Sequence, residues 1–142
     1  DLQAVNAILS YYAQIAEKAG TALEIQAQME KEIPVPEPEF CVLLGNLLEN
    51  AVDACRENNE SGAIKVHIRQ TGTSLIAITV DNPCRKPHVL EGKRFLSTKH
   101  SGPGIGTQSI RLIAERHRGD ARFEWKNGMF YASVILIPSA ES

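Results

Sequence analysis

Two stretches of this chain place chemically capable residues at telling intervals. The first, "S97 T K H S G P G I G T Q S I R111", sets Lys99 and three alternating glycines, Gly102, Gly104 and Gly106, directly before an apolar-periodic run. Glycines let a ligand approach the backbone without meeting a Cβ, and a helix N-terminus offers unpaired N–H groups and partial positive charge; together they suit a phosphate. Lys99 adds a point charge, and Ser97, Thr98, Thr107 and Gln108 add neutral donors. Taken alone, the same glycines also describe a surface turn before a helix. A Walker A loop is excluded because no G-x-x-x-x-G-K-[ST] is present. A Rossmann turn is excluded because these glycines follow a polar loop instead of a buried strand.

The second stretch, "L43 L G N L L E N A V D A C55", has Phe40, Leu43, Leu44, Leu47, Leu48, Ala51, Ala54 and Cys55 on an apolar face. Asn46, Glu49, Asn50, Asp53 and Glu57 form a polar stripe. Asn and Gly45 are poor choices inside a helix, because the amide competes with the backbone and glycine loses more entropy. A broken local rule with no local gain points to a site, although a solvated polar face has the same pattern. An amide oxygen is a hard ligand of the kind Mg²⁺ takes alongside water and phosphate. A third candidate is Asp81, at the end of "L75 I A I T V D N P C84". Its carboxylate only accepts hydrogen bonds, as an exocyclic amine such as adenine N6 requires; a turn-forming Asp before Asn-Pro is the plainer alternative.

The elements that must position these residues follow from periodicity. Residues 2–19 read as an amphipathic helix stopped by Gly20, 21–30 as a half-buried strand, and "I33 P V P E P38" as a stiff connector into a helix over about 39–57. Strands follow at 63–70 and 74–82; Ile64, Val66 and Ile68 alternate with Lys65, His67 and Arg69. Residues 83–103 show no period and read as a long unstructured loop. A third helix then runs to about Arg118, and strands at 121–126 and 129–138 meet at Asn127-Gly128, a strong hairpin signal. The order α-β-α-β-β-α-β-β, with one polar strand face, predicts an α+β two-layer sandwich: a mixed five-stranded sheet with about three helices on one face.

A chain of 142 residues with 43% hydrophobic and 23% charged residues has the make-up of one globular domain. A net charge of −2 argues against a nucleic-acid surface. Three widely spaced cysteines provide neither a disulfide framework nor a zinc site, and fit a reducing cytosol. With no long apolar run or signal-peptide pattern, and a start without Met, the sequence reads as a soluble piece cut from a longer protein.

Together and in this order, the pieces resemble the GHKL superfamily of ATP-binding domains. "N46 L L E N A V D A54" is similar to its N box, "V80 D N P C84" to its first glycine box and "G102 P G I G T107" to its second, over residues 5 to 138. Adding "V5 N A I L S Y Y12", the chain resembles the catalytic domain of peptide-sensing (quorum-sensing-like) bacterial histidine kinases. The resemblance implies a junction helix at 1–20, a GHKL catalytic domain at 21–142 and an ATP lid at about 83–103. It implies Mg²⁺ on Asn50, adenine on Asp81 with Asn82 beside it, and triphosphate wrapped by Lys99, Gly102, Gly104, Ile105, Gly106, Thr107 and Gln108. Asn46 stands where ATP-hydrolysing members place a general-base Glu, and an amide takes no proton at neutral pH, so the site is built for transfer; Glu49 is the alternative base. Pro83 and Cys84 stand where the first glycine box normally continues with glycines.

The implied function is transfer of the ATP γ-phosphoryl group to a His on a dimerisation domain absent from this sequence, with a response regulator downstream. The alternatives are an ATP-dependent interaction module with little transfer and an anti-sigma-factor-type protein-serine kinase. His67, His88, His100 and His117 are expected to face solvent, and the chain alone is expected not to autophosphorylate. The domain is expected to be monomeric and cytoplasmic, within a homodimeric membrane sensor.

Overall fold

The computed structural model describes residues 2–57, 62–84, 89–91, 94–96 and 105–138. Helix α1 (Leu2–Lys18) buries Val5, Leu9 and Ala16. It ends where Gly20 turns to a φ of +86° and Thr21 N–H reaches back to Ala16 O at 3.0 Å, a left-handed cap that satisfies terminal carbonyls. Strand β1 (Ala22–Gln28) leads through the proline connector to α2 (Glu37–Glu57). Glu37 and Glu39 lie in the first turn of α2 and Arg56 in its last, so all three charges complement the helix dipole.

Strands β2 (Ala63–Thr71) and β3 (Leu75–Pro83) follow, then the short strands β4 (Val89–Glu91) and β5 (Arg94–Leu96). Helix α3 (Ile105–Arg116) precedes β6 (Asp120–Lys126) and β7 (Met129–Leu136). The main sheet has the order β1-β2-β3-β7-β6; β1 lies parallel to β2 and every other neighbour is antiparallel. In the β6–β7 hairpin, Asn127 and Gly128 both have positive φ, 52° and 79°, as a two-residue turn matched to strand twist requires. The expectation of an unstructured loop over 83–103 is corrected for the residues of that range that the structure describes. Pro83 closes β3, and β4 and β5 pair antiparallel as a separate two-stranded ribbon.

Alternation sorts the sheet into two faces. Ile64, Val66 and Ile68 of β2, Ile76, Ile78 and Val80 of β3, and Ala132, Val134 and Leu136 of β7 are buried, while Lys65, His67 and Arg69 are exposed. The buried set meets Phe40, Leu43, Leu44, Leu47 and Leu48 of α2 in one core. Helix α1 packs toward β1, α2 over β3, and α3 over β6 and β7. Helix α3 also needs a close approach at its end: a Cβ on Gly119 would lie 1.6 Å from Ile135 O, so only glycine fits there.

Candidate nucleotide site

The ridge of α2 that carries Asn46 and Asn50 begins at Glu39. One carboxylate oxygen of Glu39 meets Arg116 Nη1 at 3.1 Å and His117 Nε2 at 2.9 Å, at the far end of α3. The start of α2 thus lies against the end of α3, and the two helices run antiparallel. As many residues separate Glu39 from Asn50 as separate Arg116 from Ile105, about 16 Å at 1.5 Å per residue. Val42 shares a cleft with Ser109 and Leu112, so α3 runs back from the clasp toward the Asn50 end of α2. Asn46 lies one turn nearer the clasp, and both asparagines are partly exposed.

Ile105 and Gly106 open α3, followed by buried Thr107 and exposed Gln108. Lys99, Gly102 and Gly104 lie outside the described residues, as do His88 and His100. His67 is exposed on β2, as its strand position implies. His117 departs from expectation: its side chain is only 15% exposed and is held by Glu39, which draws it in from solvent. The same contact lowers the Glu39 pKa; the His117 hydrogen bond is the largest cause, and Arg116 adds to it.

Glu49 lies on the α1 side of the polar stripe of α2. With Val52, Asp53 and Arg56 it lines a groove of about 130 Å³ against Tyr11, Tyr12 and Ile15 of α1. At 3.6 residues per turn Glu49 sits about 60° round the helix from Asn46, on the edge of the stripe nearest α1. Asp53 also faces this groove and pairs with Arg56 at 3.5 Å.

Asp81 lies on the outer face of the sheet. In β3 it pairs in register with Lys65 of β2 and Tyr131 of β7, on the face that carries exposed Lys65 and His67, opposite the helices. Partial burial raises its pKa, an effect opposed by His67 and then Lys65. The next residue, Asn82, is 1% exposed and continues the helix-facing row of Ile76, Ile78 and Val80. Its Nδ2 donates to Pro83 O at 2.9 Å, which leaves Oδ1 as the acceptor end of the amide. One step along a strand reverses the face, so the residue type that drew attention in the sequence is not the one the fold turns toward α2.

Pro83 and Cys84 make a fixed rim in place of glycines. Cys55 Sγ of α2 lies 3.7 Å from Pro83 O, Cys84 N–H donates to Gly128 O at 2.9 Å, and Trp125 Nε1 donates to Cys84 O at 2.7 Å. No signal in the sequence linked Trp125 to this rim; the contact arises because the indole at the end of β6 reaches across the start of β7 to the end of β3.

Among the described residues no group of three His, Cys, Asp or Glu could hold a metal ion. A cation here would depend on few protein ligands, with Asn50 the suitable amide, and on oxygens from phosphate and water. That donor set fits Mg²⁺. No helix among the described residues is long and apolar enough to cross a membrane.

Residues 37–138 match the family model described as "GHKL domain", and the chain belongs to that family. Among curated proteins it is similar to the sensor histidine kinase ZraS of Salmonella typhi, 27% identical over 148 residues, covering 96% of this chain and 31% of that protein. The chain therefore spans about a third of that relative's length. Among solved structures, the nucleotide-free catalytic domain of histidine kinase ThkA superposes with a TM-score of 0.75 at 20% identity, covering 98% of this chain and 93% of that one. Full-length ShkA in complex with AMPPNP superposes with a TM-score of 0.66 at 15% identity, covering 96% of this chain and 30% of that one. These likenesses agree with the mixed five-stranded sheet under three helices.

Proposed function

We propose that this chain is the ATP-binding catalytic domain of a sensor histidine kinase. In this reading it presents the γ-phosphoryl group of Mg-ATP to a His on a dimerisation domain outside these 142 residues. The observation that carries the proposal is the antiparallel run of α3 toward the Asn50 end of α2, with the Asn82 amide on the helix-facing side of β3. A nucleotide would lie with its base inward at Asn82 and its phosphates outward at α3, where N–H groups and the helix dipole favour anions. Lys99 and the glycines at 102, 104 and 106 belong to the phosphate side of the same reading. The AMPPNP named for ShkA supports a nucleoside triphosphate as ligand.

The Asn82 Oδ1 accepts from the adenine amine, taking the part first read onto Asp81. Asn50 supplies an amide oxygen to Mg²⁺, which when bound offsets phosphate charge. Asn46, as an amide, activates no water, so the residues of the site position ATP without splitting it. Of the described histidines, His67 lies on the outer sheet face and His117 is clasped by Glu39, which supports a phosphoacceptor supplied from outside these residues. The motif "V5 N A I L S Y Y12" supports the peptide-sensing branch, in a homodimeric membrane sensor acting on a response regulator.

Calorimetric titration of ATP with and without Mg²⁺, into this chain and into Asn50→Ala, tests the reading. Saturable binding that Mg²⁺ strengthens in the first and not in the second is expected. Transfer to a separately produced dimerisation hairpin then distinguishes a kinase from a nucleotide-gated interaction module. Absence of ATP binding at millimolar concentration sinks the proposal.

A further inference from the structure

The rim at the end of β3 is held from several sides, and one of the groups holding it lies far away in sequence. Trp125 alternates with Ala121 and Phe123 along β6 and pairs in register with Phe130, so its ring belongs to the helix side of the sheet. Arg111 of α3 stands 5.0 Å over the Phe123 ring, and β6 runs antiparallel to α3. Two residues further along β6, about 6.6 Å, Trp125 therefore stands near the first turn of α3. It remains 39% exposed there, while its indole N–H meets Cys84 O at 2.7 Å.

That carbonyl is one side of a single peptide unit away from the group that orients Asn82. Pro83 O accepts from Asn82 Nδ2 at 2.9 Å and lies 3.7 Å from Cys55 Sγ. Its direction is set by the Pro83–Cys84 peptide, which Cys84 N–H to Gly128 O holds directly, while Trp125 to Cys84 O holds the peptide unit that follows it. With Pro83 O held, the amide of Asn82 has a reason to keep its nitrogen on that carbonyl and its oxygen elsewhere. An amide is nearly symmetric in shape, so the choice between presenting an acceptor and presenting a donor rests on such a contact.

We propose that Trp125 is a specificity-determining positioning residue of the nucleotide site: by holding the Cys84 carbonyl it locks the rim, so that Asn82 shows the base an acceptor. This rests on the nucleotide-binding reading above. An acceptor suits adenine, whose exocyclic amine donates, and opposes guanine, whose corresponding group is a carbonyl. When the rim is released, the Asn82 amide can turn and offer Nδ2 to guanine. Trp125 touches no reacting atom; it acts through Cys84, Pro83 and Asn82.

The test compares ATP and GTP affinities, by calorimetry in Mg²⁺, for the wild type and Trp125→Phe, which keeps an aromatic ring and loses the donor. The ratio of GTP to ATP dissociation constants is expected to narrow by about fivefold to tenfold, the scale of one hydrogen-bond preference. General loosening of the fold weakens both nucleotides together and leaves the ratio unchanged, and an unchanged ratio overturns the proposal. Should the variant fail to fold, the wild type decides: Trp125 is the only tryptophan, so its fluorescence must change saturably with ADP. No fluorescence response to ADP that calorimetry shows to be bound overturns the role of Trp125 alone. Absence of nucleotide binding by the wild type overturns the underlying reading and this one with it.

Discussion

Asp81 and Asn82 are consecutive in β3 and face opposite sides of the sheet. Asp81 lies in register with Lys65 and Tyr131 on the outer face, and Asn82, 1% exposed, lies on the side covered by α2. The chemistry of a lone carboxylate at a strand end is attractive, yet the two-residue period of a strand decides which side chain reaches the ligand. Val80 and Ile78 are buried, so the residue two places beyond Val80 shares their face and the residue between does not.

Substitutions at the pair should therefore separate binding from stability. Asn82→Ala is expected to weaken ATP binding by about tenfold, the loss of one well-placed hydrogen bond. Asp81→Asn is expected to leave ATP affinity within about twofold and to raise the melting temperature at neutral pH. The sign follows from the pKa of Asp81, which burial raises in the folded state. Such a group costs stability once ionised: the folded state is favoured below the ordinary Asp pKa, and that advantage is lost as pH rises through the raised value. The difference between Asp81→Asn and wild type should vanish in acid, as thermal melts across pH would show. A large loss of ATP affinity in Asp81→Asn would return the base contact to the carboxylate.

The clasp between Glu39 and the end of α3 predicts the opposite pH behaviour. The Glu39 pKa is lowered, first by the hydrogen bond to His117, so its contribution is present above the ordinary carboxylate pKa and is lost as pH falls through the lowered value. Glu39→Gln should melt below wild type at neutral pH, by no more than a few degrees because exposed ion pairs are weak. The two melting temperatures should converge in acid. Because the clasp sets the antiparallel register of α2 and α3, Glu39→Gln should also weaken ATP binding modestly, though the residue is remote from the nucleotide. A constant gap in melting temperature across the whole pH range would show that the carboxylate charge has no part in it.

How much was legible in advance depended on the range over which each signal acts. Short-range periodicity located α1, α2, α3 and the strands of the main sheet within a few residues, and Asn127-Gly128 marked its hairpin, because apolar alternation and turn chemistry are written locally. The β4–β5 ribbon was missed because three-residue strands hold too little alternation to show a period. The asparagine ridge of α2 was legible, whereas the turn of Glu49 toward Tyr11 and Tyr12 depended on where α1 packs. The face of Asp81 could have been read by extending the alternation of Ile76, Ile78 and Val80 by one more step. The contacts of Trp125 with Cys84 and of Glu39 with His117 join residues 41 and 78 positions apart, and nothing local encodes them.

Gly45 offers the last test, since its place inside α2 was one of the features that first drew attention to that helix. An ideal Cβ built on Gly45 meets nothing within 4 Å, and its φ lies outside the left-handed region. Neither packing nor backbone geometry therefore demands glycine here. The residue costs helix stability in the ordinary way, by the backbone entropy it loses on folding. Gly45→Ala should stabilise the chain by roughly 0.5–1 kcal/mol, visible as a higher denaturation midpoint with an unchanged slope. If ATP affinity is also unchanged, Gly45 has no role at the nucleotide site, and the ridge of Asn46 and Asn50 alone carries the function of α2. If affinity drops while stability rises, the added methyl group, which meets only open space in the free protein, stands where the nucleotide binds, and Gly45 belongs to the site.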